Sequence, residues 1–154
     1  MKKFIIPLII TILFSVLLSG MLSIRGVKPD FIIIFLIYFA LDQGSFKGVV
    51  LGFFVGIFIS IFDNNPTIGI LPLSYSVIGY GVGLLRNQKN RLSPIIFNVL
   101  LYSIIAFGFF VYSYFLYDSI FYNNFTQFIV NWFRNMIYTV SLIVIIQFII
   151  PFKK

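Results

Sequence analysis

The chain has 154 residues, of which 60% are hydrophobic, 20% aromatic and only 10% charged, with a mean hydropathy of +1.07. A soluble domain is about 45–50% apolar and about 25% charged, so a chain this short cannot hide its apolar surface from water. A soluble globular protein and a disordered one are both excluded. The net charge is +7, but the basic residues form no patch interleaved with exposed aromatics, so nucleic acid is not an expected partner. With no Cys and no His, and with Asp30, Asp42, Asp63 and Asp118 as the only acids, disulfides, thiolate nucleophiles, zinc ribbons and a neutral-pH histidine base are absent. No enzyme, cofactor or metal is expected.

In chain order, Phe4–Leu22 follows Lys2 and Lys3 and is long enough to span a bilayer. It has the basic start and apolar run of a signal peptide. The rest of the chain is equally apolar and gains nothing from secretion, so this segment is read as the first membrane helix. Phe31–Leu41 and Gly48–Phe62 come next, split by residues 42–47; the first is about half a normal span, and so short, tilted or re-entrant. Ile68–Leu85 and Ile95–Tyr117 are clean spans, and Ile129–Ile150 is the last, interrupted near its start by Arg134. Pro29, Pro66 and Pro94 mark helix starts, since proline suits the first helical position behind an Asn or Ser cap. The segment at 118–128 reads as the longest loop. The expectation is an all-α, polytopic bundle of six transmembrane helices over residues 1–154, at about 4–22, 30–41, 48–62, 66–85, 94–117 and 129–150.

Charge sets the orientation. With six spans and a cytoplasmic N-terminus, Lys2, Lys3, Lys47, Arg86, Lys89, Arg91, Lys153 and Lys154 lie inside, against Arg25 and Lys28 outside. Both termini are therefore expected in the cytoplasm. Merging the second and third spans would put the 86–91 loop outside, so six is favoured over five.

Small residues recur at helical spacing. Gly44, Gly48, Gly52, Gly56 and Ser60 fall four apart, and Gly69, Pro72, Ser76, Gly79 and Gly83 fall three and four apart. Such faces let helix backbones approach closely in lipid, where no hydrophobic effect drives association. Gly48, Gly52, Gly56, Gly69, Gly79 and Gly83 are the candidate packing or partner residues. A second copy of the chain is one occupant such a face fits. Thr11, Ser15, Ser19 and Ser23 form a hydroxyl stripe able to bond back to their own helix.

Ionisable residues at membrane depth are costly unless paired. Asp30 opens the second helix near Arg25 and Lys28, where the helix dipole favours an anion. Asp63 closes the third, where the dipole disfavours one, and Asp63-Asn64-Asn65-Pro66 also reads as a turn. Asn131, Arg134, Asn135, Tyr138 and Ser141 make a polar stripe on the last helix, beside Trp132. Arg134 either snorkels to the surface or faces the bundle, with Asp63 or Asp118 as partner.

Lys28-Pro29-Asp30 before a short apolar helix, Gly48-x3-Gly52-x3-Gly56-x6-Asp63, Gly69-x2-Pro72-Leu73 and Gly79-Tyr80-x2-Gly83 together resemble the MreD family of bacterial rod-shape membrane proteins. The resemblance rests on residues 28–85. It implies a non-catalytic partner of MreC, a protein with one membrane span. Beside them would stand the actin-like MreB, a RodA-type glycosyltransferase and a class B penicillin-binding protein, all at the cytoplasmic membrane. It also implies an architecture similar to the substrate-binding subunits of energy-coupling-factor transporters, although Ser15 and Ser19 stand where those carry alanines. The leading expectation is a membrane scaffold for cell elongation. The alternative is a vitamin or small-molecule uptake subunit with a cavity near Asp30, Asp63 and Arg134. An aspartyl hydrolase using Asp30 and Asp63 is set aside, because both lie at helix ends and lack the expected motifs.

Overall fold

The computed structural model describes residues 6–13, 15, 30–62, 69–116 and 118–149, without the side chains of 118–120 and 149. Every regular element among these residues is helical. Residues 6–13 form α1; α2 is Phe31–Gln43, α3 Ser45–Phe62, α4 Ile70–Leu85, α5 Pro94–Leu116, α6 Asp118–Asn123 and α7 Phe125–Ile149. A 3-10 turn, Arg86–Gln88, follows α4. By length and composition α3, α5 and α7 are able to cross a membrane, while α2 is apolar but only 13 residues long.

The shortness of α2 has a physical reason. Ile32 through Ile37 are all buried, with Ala40 and Leu41, so protein covers this helix on every side. At 1.5 Å per residue it is about 20 Å long, short of the ~30 Å hydrocarbon core. A helix wrapped in protein can end at depth if its terminal polar groups are satisfied. Asp30 does this at the start, accepting the N–H groups of Ile32 (3.1 Å) and Ile33 (3.3 Å). Asp30 is thus the cap of α2 rather than part of its first turn.

At the other end the Gly44 N–H donates to the Ala40 carbonyl at 2.9 Å. Gly44, at φ +93°, is the whole connection between α2 and α3. The break expected over 42–47 is therefore a one-residue corner, and α3 starts at Ser45 rather than 48. The polar residues there satisfy one another: Lys47 Nζ donates to Gln43 Oε1 (2.9 Å), and Gln43 Nε2 to Asp42 Oδ2 (2.6 Å).

The other starts are set by caps. Ser93 Oγ accepts the Ile96 N–H (3.4 Å), with Pro94 as the first residue of α5. α4 starts at Ile70, behind Gly69 at φ +131°, rather than at 66. Pro72 sits in its first turn, where a missing N–H costs little. Pro29 and Pro66 lie outside the described residues.

Residues 118–128 are not a loop. They form α6, Asn124 and the start of α7, with the Asn124 carbonyl accepting the Phe128 N–H at 3.1 Å. The cause is aromatic burial. Phe121 stacks edge-on against Phe128 (5.0 Å between centroids) and Tyr114 (5.1 Å), and Phe128 against Phe110 (5.8 Å).

Neighbouring helices run antiparallel: α2 with α3 across the Gly44 corner, α3 with α4, α4 with α5, and α5 with α7. α2 and α4 run parallel, since Asp30 meets Tyr75 near their starts and Gly44 approaches Arg86 near their ends. The core is a single apolar cluster with Leu36, Ile37, Ile78, Val82, Leu101, Ile105 and Ile143 at its centre.

Candidate functional site

The glycines of α3 and α4 face each other. A Cβ added at Gly48 would come within 2.6 Å of the Gly79 carbonyl oxygen, one at Gly52 within 2.6 Å of that of Tyr75, and one at Gly56 within 2.5 Å of Pro72 Cα. Gly79 in turn abuts Gly48, and Gly83 abuts Ser45. Residues 45, 48, 52 and 56 thus run antiparallel to 83, 79, 75–76 and 72, backbone against backbone. Ser76 Oγ adds a long hydrogen bond across the seam to the Val49 carbonyl (3.5 Å). In lipid such close approach supplies the van der Waals contact that holds helices together. Gly69 stands apart: at φ +131° it caps α4, and no described residue comes within 4 Å of where its Cβ would be.

A second cluster ties α2 to α4. The Tyr75 hydroxyl, on a side chain only 3% exposed, donates to Asp30 Oδ2 at 2.5 Å. One carboxylate therefore caps α2 through one oxygen and anchors α4 through the other. Arg25, Lys28 and Asp63 lie outside the described residues, as do Ser19 and Ser23. On α1, Thr11 Oγ1 bonds back to the Pro7 carbonyl (3.0 Å).

Arg134 is exposed on α7 and makes no ion pair with a described residue. The structure does not join it to Asp30. The buried side of α7 instead carries Phe128, Thr139 and Ile143, flanked by Trp132, whose Nε1 donates to the Ala106 carbonyl (3.2 Å).

Sequence reasoning missed a third cluster, between α5 and α7. Tyr102 donates to Gln147 Oε1 (2.6 Å), and Gln147 Nε2 donates to Asn98 Oδ1 (2.9 Å). The available signal was an amide inside each of two apolar runs, which lipid tolerates poorly without a partner. An open cleft of about 270 Å³ lies between the Gly44 corner and Arg86, lined also by Gln43 and Gly83. Neither Asp30 nor Arg134 lines it, and Asp63 lies outside the described residues, so the described geometry lends the uptake reading no support.

These features describe a glycine-packed helical bundle with polar ties between helices. A family model described as rod shape-determining protein MreD matches residues 1–153. No curated protein and no solved structure matches the chain. With the match running through all three clusters, the chain belongs to the MreD family of rod shape-determining membrane proteins.

Proposed function

We propose that this chain is a non-catalytic scaffold of the bacterial elongation machinery, a six-span unit of the cytoplasmic membrane with both termini inside. Family membership gives the role in rod-shape determination, and the whole-chain match is the observation that carries the reading. The polar chemistry fits a scaffold, because the Asp30 carboxylate is engaged in structural hydrogen bonds. So does the mechanics: α3 and α4 meet through their backbones and form a stiff frame. The alternation of helix directions from α2 through α5 to α7, with the 4–22 segment counted as the first crossing, supports six spans. Its partners are an MreC-like single-span protein and, through the same complex, RodA-type and class B penicillin-binding synthases and MreB.

The test is depletion in the rod-shaped host, with MreC-type and synthase proteins recovered on the tagged chain. Cells should round, and the wild-type gene should restore both shape and co-purification. Cells that stay rod-shaped, with no wall-synthesis protein recovered, would refute the scaffold.

A further inference from the structure

The glycine faces of α3 and α4 cover each other, so a partner helix needs another surface. Of the three helices long and apolar enough to cross a membrane, α7 offers the barest one. It rests chiefly on α5 and α6, and its buried side is occupied by Phe128, Thr139 and Ile143. Its outer side presents Val130, Arg134, Ile137, Ser141, Val144 and Phe148, all exposed. Their spacing is four, three, four, three, four. That is the heptad seam of a left-handed helix pair, the commonest geometry between membrane helices, with β-branched and small residues at its centre.

Arg134 decides what fits there. It lies about 14 Å along the helix from Phe125, inside the apolar span, with no ion pair to a described residue. A cation facing hydrocarbon is costly, and a carboxylate at the same depth removes that cost. A second copy does not fit, because a symmetric pair through this seam would set Arg134 against Arg134. We infer that the Val130–Arg134–Ile137–Ser141–Val144–Phe148 face of α7 docks a single transmembrane helix of another protein that places a carboxylate opposite Arg134. This rests on the scaffold reading for the partner's identity, but not for the existence of the seam.

The chain has no Cys, so the native protein is already a background for cysteine cross-linking in membranes. Single cysteines at Ile137 and Val144 are compared with Phe54 and Ile61, on the exposed side of α3. Each is paired with cysteines walked along the span of the MreC-like protein. A second probe is a designed Leu–Ala span with one central Glu, co-expressed in place of that protein.

Seam positions should cross-link to the designed span about tenfold more than the α3 positions, a preference lost when its Glu becomes Leu or with Arg134→Leu, and kept with Arg134→Lys. Equal cross-linking from both helices, disulfides chiefly between two copies of the chain, or indifference to Arg134→Leu because the guanidinium reaches lipid headgroups would each overturn the seam. If the designed span docks but no MreC-like protein co-purifies, the seam stands and the scaffold reading falls. If the MreC-like protein co-purifies and neither span cross-links at α7, the seam falls and the scaffold reading stands.

Discussion

The carboxylate of Asp30 accepts two backbone N–H groups through one oxygen and the Tyr75 hydroxyl through the other, so single substitutions separate the two roles. Tyr75→Phe leaves the cap intact and removes the hydroxyl that donates from α4 to the other oxygen; it should lower the stability of the purified protein by about 1–3 kcal/mol. Asp30→Ala loses the cap as well, about 1 kcal/mol more. The two effects should not add fully in the double variant, because they share one carboxylate. Detergent unfolding midpoints measure all three, and a Tyr75→Phe protein as stable as wild type would refute the tie. Thr139 offers the opposite sign. The residue is 1% exposed, and its hydroxyl has no hydrogen-bond partner among the described residues. Thr139→Val keeps the shape and removes that cost, so the midpoint should rise. None of this was legible in the sequence beyond the preference of an acid for a helix start. Which tyrosine reaches Asp30 depends on α2 and α4 running parallel, and spacing along one helix carries no such information.

At the scale of elements, the glycines are not equivalent. A methyl at Gly52 meets the Tyr75 backbone, which cannot move without parting α3 from α4. A methyl at Gly81 meets only side-chain atoms, those of Ile104, so no backbone of a neighbouring helix stands against it. Gly52→Ala should therefore cost about 1–3 kcal/mol and Gly81→Ala less, measured by the same midpoints. Equal losses would mean that the seam yields as easily as a side chain. The spacing of Gly48, Gly52 and Gly56 was legible because a four-residue repeat places them on one helix face whatever surrounds it. Gly69 fitted the spacing on α4 equally well and caps the helix instead, since periodicity does not see a positive φ. The helical character of 118–123 was hidden for a related reason. Its polar residues read as a loop, while the rings that hold it, Tyr114 and Phe128, come from α5 and α7.

At the scale of the whole molecule, the alternation of helix directions and the basic loop at 86–91 make one orientation testable. A fluorescent protein fused at the C-terminus should fluoresce. Alkaline phosphatase inserted near residue 90 should be inactive, and near residue 123 active. Activity at residue 90 would invert the topology and with it the six-span reading. The overall class was legible from composition because lipid is the only solvent in which so apolar a chain is stable. The central position of α2 was not, because a helix covered on all sides shows no periodicity. That burial also bears on biosynthesis. α2 is about two-thirds of a bilayer long and leaves the ribosome before Tyr75, Ile78 and Val82, the α4 side chains that share its core cluster, have been made. Of the helices that follow it, only α3, one residue away across Gly44, is made at once to accompany it. The two must therefore enter the membrane as a hairpin and wait, half-covered, until α4 closes over them. A nascent chain stopped before α4 would present the machinery of membrane-protein turnover with its most apolar surface.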